Sequence, residues 1–154
     1  MSAYELAQLN VATMKEPFDS PGMAEFVANL DRINTLAESS SGFVWRLQTD
    51  AGDATSIRPL GENVLVNVSV WKDTDSLRKF VYNSDHVSIM RRRKEWFEQM
   101  PEAHVVLWWV RQGQRPTESE AIEKLKLLHQ LGATEKAFSF RDVFPPPNEM
   151  SGVR

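Results

Sequence analysis

Every second position from Val64 to Val70 is valine, while the intervening Leu65, Asn67 and Ser69, with Trp71 at the end, are mixed. A two-residue period marks a strand whose faces meet different surroundings, because successive side chains leave it on opposite sides. β-Branched valine also suits the pleated backbone. The run from Asn63 to Trp71 is therefore the firmest strand in the chain. A solvated face would not end in tryptophan, so the mixed face is expected to be covered as well.

The other elements follow from periodicity and punctuation. Tyr4 to Ala12 alternates as a first strand, with Leu6 and Gln8 on one face and Ala7, Leu9 and Val11 on the other. After Pro17, Pro21 and Gly22, the spacing of Met23, Phe26, Val27, Leu30 and Ile33 predicts an amphipathic helix to Ala37, stopped by Ser39 to Gly42. Phe43 to Gln48 reads as a strand, and Asp50 to Gly61, rich in Gly, Asp, Ser and Pro, as a loop. Asp73 or Thr74 can cap a helix with Leu77, Phe80 and Val81 inward. A second helix follows Asn83-Ser84-Asp85 and runs to about Met100, before Pro101. Glu102 to Arg111 supplies a fourth strand. Pro116-Thr117 opens a last helix with Ile122, Leu125, Leu128 and Leu131 inward and Gly132 as its stop. A short Phe138-Ser139-Phe140 segment precedes Pro145-Pro146-Pro147.

The order is β-α-β-β-α-β with a C-terminal helical extension, the split βαβ arrangement of ferredoxin-like α+β domains with a four-stranded antiparallel sheet. The 154 residues suit one domain, expected over 1–144, with a flexible tail at 145–154. Helices on one side of such a sheet leave the other to be buried, and both strand faces carry aliphatic and aromatic residues. A partner's sheet, and hence a homodimer, is the expected cover.

Charge and composition then exclude several functions. With 18 basic and 21 acidic residues the formal charge is −3, so nucleic acid and anionic membranes are not expected partners. Without cysteine there is no disulfide, thiolate metal site or thiol nucleophile. His86, His104 and His129 lack the spacing of metal ligands, and no metal is expected. The N-terminus does not read as a signal peptide, and the longest apolar run, Val105 to Val110, is too short to span a bilayer. A cytoplasmic protein is the expectation. No phosphate loop, nucleophile elbow or dinucleotide fingerprint is present.

The helix after Ser84 carries the chemistry. With Ile89, Met90, Trp96, Phe97 and Met100 on its buried face, His86 and Arg93 fall on the same stripe, and Arg91, Arg92 and Lys94 face outward. An unpaired buried cation costs several kcal/mol, so something anionic should meet Arg93. In the structural account a carboxylate of the protein does so, and His86 bonds a backbone carbonyl. In the functional account Arg93 binds an anionic group of a ligand and His86 transfers a proton. Trp71, Tyr82 and Trp96 lie near His86 in the chain and could stack on a flat ligand, with Asn67 and Ser69 as polar anchors on the face of Trp71. Core or dimer packing and cross-strand hydrogen bonding are the structural alternatives.

Val68-Ser-Val-Trp71, Leu77 to Tyr82, Ser84-Asp-His86, Arg91-Arg-Arg-Lys-Glu-Trp-Phe97, Leu107-Trp-Trp-Val110 and Arg115-Pro-Thr117 together resemble the DUF3291 family from about Tyr4 to Phe140. That resemblance implies the dimeric α+β barrel superfamily, alongside antibiotic-biosynthesis monooxygenase and EthD-like proteins. It includes cofactor-free and haem-degrading oxygenases, chlorite dismutases, dye-decolorising peroxidases and muconolactone-type isomerases, so fold alone selects no reaction. The monooxygenase relatives often carry a histidine after the third strand in a Ser-x-x-His setting, which Ser84-Asp85-His86 resembles with one residue fewer. Haem-degrading relatives use an Asn on the first strand with a Trp and a His on the later helix. Those last two positions fall on Phe80 and Met90 here, and only Asn10 answers to the first, so haem is not expected and no cofactor is assigned.

The resulting expectation is a small dimeric enzyme of the cofactor-independent monooxygenase kind, or a lyase or isomerase, acting on a hydrophobic aromatic or enolisable molecule. His86 would remove a proton, Arg93 would hold the anion, and Trp71, Tyr82 and Trp96 would exclude water. The competing expectations are a non-catalytic ligand-binding dimer, and a structural homodimer with Arg93 ion-paired and no cavity of roughly 300 Å3 beside His86.

Overall fold

The alternating segments pair as their faces require. β1 (Tyr4–Thr13) lies between β3 (Val64–Trp71) and β4 (Val105–Arg111), and β2 (Phe43–Arg46) completes the antiparallel order β2-β3-β1-β4. Leu6 pairs with Trp71, Gln8 with Ser69 and Asn10 with Asn67, which fixes the faces of both central strands. The structure, a computed structural model, describes residues 3–48, 58–99 and 103–147, the side chains of Ser84, Asp85 and Ile89 excepted. Most of the Asp50–Gly61 loop, the 100–102 junction and the tail from 148 onward lie outside the described residues.

A 3₁₀ turn, Pro21–Met23, leads into α1 (Ala24–Glu38). After β3, the Asp73 side chain accepts hydrogen bonds from the backbone N–H and hydroxyl of Ser76, capping α2 (Thr74–Val81), whose Leu77 is buried. α3 (Ser84–Arg91) and the single turn α4 (Arg93–Trp96) follow. The sequence predicts one helix here, ending near Met100. The chain instead breaks at Arg92 and turns extended at Phe97, with φ −125° and ψ 146°. The cause is the end of β1: Phe97 bridges Met14, the Glu98 N–H donates to the Thr13 carbonyl at 2.8 Å, and the Trp96 carbonyl accepts from Lys15 at 2.9 Å. Those bonds, with the Phe97 ring edge-on to Phe26 at 5.0 Å, replace another helical turn.

Thr117 caps α5 (Glu118–Leu131) by accepting from the Glu120 N–H, and Gly132, at φ 71°, ends it in a backbone conformation that favours glycine. Ala121, Leu125 and Leu128 face inward, whereas Leu131, expected on that face, is 66% exposed and Ile122 is half-buried. The inward residues pack on Ala7, Leu9, Val11, Val66, Val68, Val70, Val106, Trp108 and Val110, the second face of the sheet. Ala7 and Val70 are 0% exposed within a single chain. The expectation that a partner's sheet must cover this face is therefore corrected: α5 of the same chain covers it.

The opposite face carries Leu6, Gln8, Asn10 and Ala12 of β1 and Leu65, Asn67, Ser69 and Trp71 of β3. It meets α1, α2 and α3, with apolar packing concentrated at its ends. One end gathers Leu6, Trp71, Leu77 and Phe138, the other Ala12, Met14, Met23, Leu65, Trp96 and Phe97. Polar residues occupy the space between.

Candidate functional site

That space is a cavity of about 430 Å3 between the sheet and helices α1 to α3. Its volume falls in the range of small-molecule sites, roughly 300–1,000 Å3. All seven residues singled out in the sequence line it: Asn67, Ser69, Trp71, Tyr82, His86, Arg93 and Trp96. Trp71 and Trp96 are buried walls at opposite ends, and Tyr82, 73% exposed, sits at the rim and cannot seal the cavity. Met90 is likewise at the rim, 47% exposed, where the sequence predicts a buried residue. The Ile89 side chain and Met100 lie outside the described residues.

His86 stands on the first turn of α3. Its Nδ1 lies 2.9 Å from the Val81 carbonyl. A carbonyl only accepts, so Nδ1 carries the proton and the neutral ring presents the lone pair of Nε2, which has no partner among the described residues. Phe80 packs on the imidazole at 4.7 Å and itself stacks on Trp71 at 5.2 Å. Burial lowers the His86 pKa below its ordinary 6.5, and the bond to Val81 only partly opposes this. The result is a neutral base at neutral pH.

Arg93 begins α4, half-buried, with its guanidinium 5.5 Å from the centre of the Phe97 ring. No carboxylate among the described residues pairs with it. The carboxylate the structural account requires is absent there, and burial lowers the Arg93 pKa. Arg92 is the contrast. It pairs with Glu25 and Glu95 and lies over Trp96 at 4.8 Å, as an outward-facing charge should.

Sequence reasoning missed three contributors. His104 lines the cavity near Arg93, and its pKa is lowered by burial and by the Arg93 charge. Its place before an apolar strand gave no hint of this. Asn10, considered only against haem-binding patterns, has a buried Oδ1 without a hydrogen-bond donor. Gln8, buried at the centre of β1, donates from Nε2 to Asn67 Oδ1 at 2.7 Å and Ser69 Oγ at 2.8 Å. The alternation of β1 showed which face Gln8 shares but not what it touches. No acidic side chain lines the cavity among the described residues, whereas Arg46, His86, Arg93 and His104 do. Arg46 is engaged by Glu38 at 3.2 Å. The wall can thus receive hydrogen-bond acceptors and negative charge.

Elsewhere, His129 is exposed, with Nε2 2.6 Å from the Ala103 carbonyl. Among the described residues no group of three His, Asp or Glu gathers as a metal site, and no helix is long and apolar enough to cross a membrane.

Sheet order and cavity together define a ferredoxin-like α+β domain with a small-molecule-sized pocket between sheet and helices. The chain belongs to the DUF3291 family, a domain of unknown function, whose model matches residues 5–152. Solved structures of similar fold include SnoaB, a cofactor-independent oxygenase from Streptomyces nogalater, at 19% identity and TM-score 0.46, covering 77% of this chain and 100% of that one. A conserved protein from Methanosarcina mazei Go1 matches at 13% identity and TM-score 0.49, covering 71% and 93%. A dabb family protein with a ferredoxin-like fold from Mesorhizobium loti matches at 14% identity and TM-score 0.43, covering 69% and 95%. At these identities and scores the likeness says nothing about reaction. No curated protein matches the chain.

Proposed function

We propose that the cavity binds a flat, conjugated, enolisable molecule, that His86 Nε2 removes an acidic proton from it, and that Arg93 holds the anion formed. The observation that carries this is the Arg93 cation, without a carboxylate partner among the described residues, on a cavity wall that also presents Nε2 of a neutral histidine, likewise without a partner among them. His86 stands in the first turn of α3 and Arg93 opens α4 beyond the break at Arg92, so the two groups meet a ligand at separate positions. A proton removed near His86 therefore leaves charge that reaches Arg93 only through a conjugated ligand, with an oxygen at its far end. Trp71 and Phe80 wall the first position and Trp96 and Phe97 the second.

From the anion, isomerisation returns the proton from His86 to another carbon and needs no further reactant. Monooxygenation of the cofactor-independent kind consumes dioxygen: a CH2 becomes C=O, one oxygen atom is retained and the other leaves as water. Both begin with the same proton transfer, which is the testable step. A second copy of the chain is not needed to complete this constellation, although a homodimer remains compatible with it.

The test is exchange of the acidic protons of 1-tetralone and 2-tetralone in D2O, followed by proton NMR. The wild-type protein should accelerate exchange, and His86→Ala should lower the rate about 100-fold or more. Neither tetralone carries a second oxygen to reach Arg93, so Arg93→Met should change their exchange little and should slow that of 6-hydroxy-1-tetralone, which does. Binding without acceleration would replace catalysis by sequestration, and neither binding nor acceleration would refute the cavity as a site for this ligand class.

A further inference from the structure

The hydrogen bonds on the cavity floor have a direction, and it selects what the ligand must offer. Gln8 Nε2 lies 3.3 Å from the backbone carbonyl of Asn67, besides its shorter bonds to Asn67 Oδ1 and Ser69 Oγ. A backbone carbonyl only accepts, so the amide nitrogen of Gln8, not its oxygen, faces all three. Asn67 Oδ1 is thereby occupied, and its NH2 is left to donate. Ser69 Oγ also accepts from the Trp71 indole at 2.9 Å, and an indole N–H has no other role. With both lone pairs of Ser69 engaged by fixed donors, its hydroxyl hydrogen is the only capacity remaining. Neither that hydrogen nor the Asn67 NH2 finds an acceptor among the described residues, and both residues line the cavity.

We infer that Ser69 and Asn67 form a two-donor clamp for a ligand carbonyl oxygen, and that Gln8 is the positioning residue that sets its polarity. The inference rests on the cavity being the ligand site proposed above. It narrows the ligand class to a conjugated ketone bearing a second, anionic or acidic oxygen: the ketone at the clamp, the second oxygen at Arg93. The clamp lies on the His86 side of the cavity, since Ser69 bonds Trp71, Trp71 stacks on Phe80, and Phe80 packs on His86. A ketone held there turns its adjacent carbon toward Nε2. When His86 takes the proton from that carbon, the C–H electron pair forms the enolate double bond and the carbonyl pair moves onto oxygen, where the two donors meet the charge.

The test compares 1-tetralone, whose oxygen only accepts, with 5,6,7,8-tetrahydro-1-naphthol, which has the same skeleton and a hydroxyl that also donates. Binding is read by calorimetry, and the C=O stretch of bound 1-tetralone by infrared spectroscopy. Gln8→Glu keeps the size of the side chain but replaces the donor nitrogen by oxygen, which draws the Ser69 hydroxyl and the Asn67 amide toward itself. The ketone should then bind about tenfold more weakly while the phenol changes little, and the lowered C=O frequency should disappear. Ser69→Ala should reproduce the loss and Ser69→Thr should restore it, so the outcome does not depend on Gln8→Glu folding well. Equal losses for both compounds, or an unmoved C=O stretch in every variant, would overturn the clamp while leaving the proton-exchange result untouched. If wild type binds neither compound, the clamp falls together with the reading beneath it.

Discussion

The imidazoles of His86 and His104 and the guanidinium of Arg93 share a cavity, and burial lowers the pKa of each. His86 and His104 both titrate below 6.5, burial being the larger cause in each. An unfolded histidine takes up its proton near 6.5, whereas the native ones wait for lower pH. As pH falls, the unfolded state therefore binds protons first. The stability these residues confer is complete above about 6.5 and is lost progressively below it. The urea midpoint should be flat above that pH and decline beneath it, with a shallower decline in the His86→Gln, His104→Gln double variant. Arg93→Met should move in the direction opposite to most core variants. Removing a half-buried cation with no ion pair among the described residues should raise stability by about 1 kcal/mol while slowing the proton exchange of 6-hydroxy-1-tetralone. A lower urea midpoint would show that Arg93 supports the fold. That His86 and Arg93 line one cavity follows their local spacing, although the helix that spacing predicts breaks between them at Arg92. The role of Gln8 was not, because its partner Ser69 lies 61 residues away and no pattern around Gln8 encodes the contact.

Elements were legible where one periodicity ruled, and were misread where tertiary bonds competed with it. β1 and β3 alternate cleanly and were placed within a residue or two of their observed bounds. The segment after Arg91 keeps helical spacing in sequence, yet the end of β1 captures Trp96, Phe97 and Glu98 by backbone pairing. Local propensity is a weak prior against such bonds. The cap of α2 is local again, and Asp73→Ala should cost about 1 kcal/mol in urea denaturation. α5 offers a stronger test. Leu125→Asp places a charge against the aliphatic face of the sheet and should cost about 3 kcal/mol. It should also loosen the helix and expose that face, so light scattering after gel filtration should report associated species. A variant that stays as dispersed and as stable as wild type would mean α5 is not the cover the packing describes.

For the whole molecule, the sheet separates two environments. One face is closed by α5 and mostly aliphatic, with Trp108 among its residues, and the other borders the cavity. The sequence predicted this two-sided burial correctly but assigned the α5 side to a partner, since nothing in the spacing of Ala121, Leu125 and Leu128 says which surface they will meet. A ligand that binds only the folded chain should stabilise all of it. At one hundred times its dissociation constant the gain is about 2.7 kcal/mol, equivalent to a rise in Tm of roughly 5–10 °C for a domain of this size. Scanning calorimetry with 6-hydroxy-1-tetralone should show that rise in wild type and a much smaller one in Arg93→Met at the same concentration.

Because the two faces answer to different demands, position parity along the central strands separates tolerance from selectivity. In β1 the odd positions Ala7, Leu9 and Val11 belong to the α5 side and the even positions Gln8, Asn10 and Ala12 to the cavity; in β3 the parity reverses, with Val66, Val68 and Val70 on the α5 side and Leu65, Asn67, Ser69 and Trp71 at the cavity. Neighbouring codons are thus exposed to unlike selection. The valine side can be redesigned for robustness without altering what the protein binds, and the other side can drift toward new ligands while the scaffold stays intact.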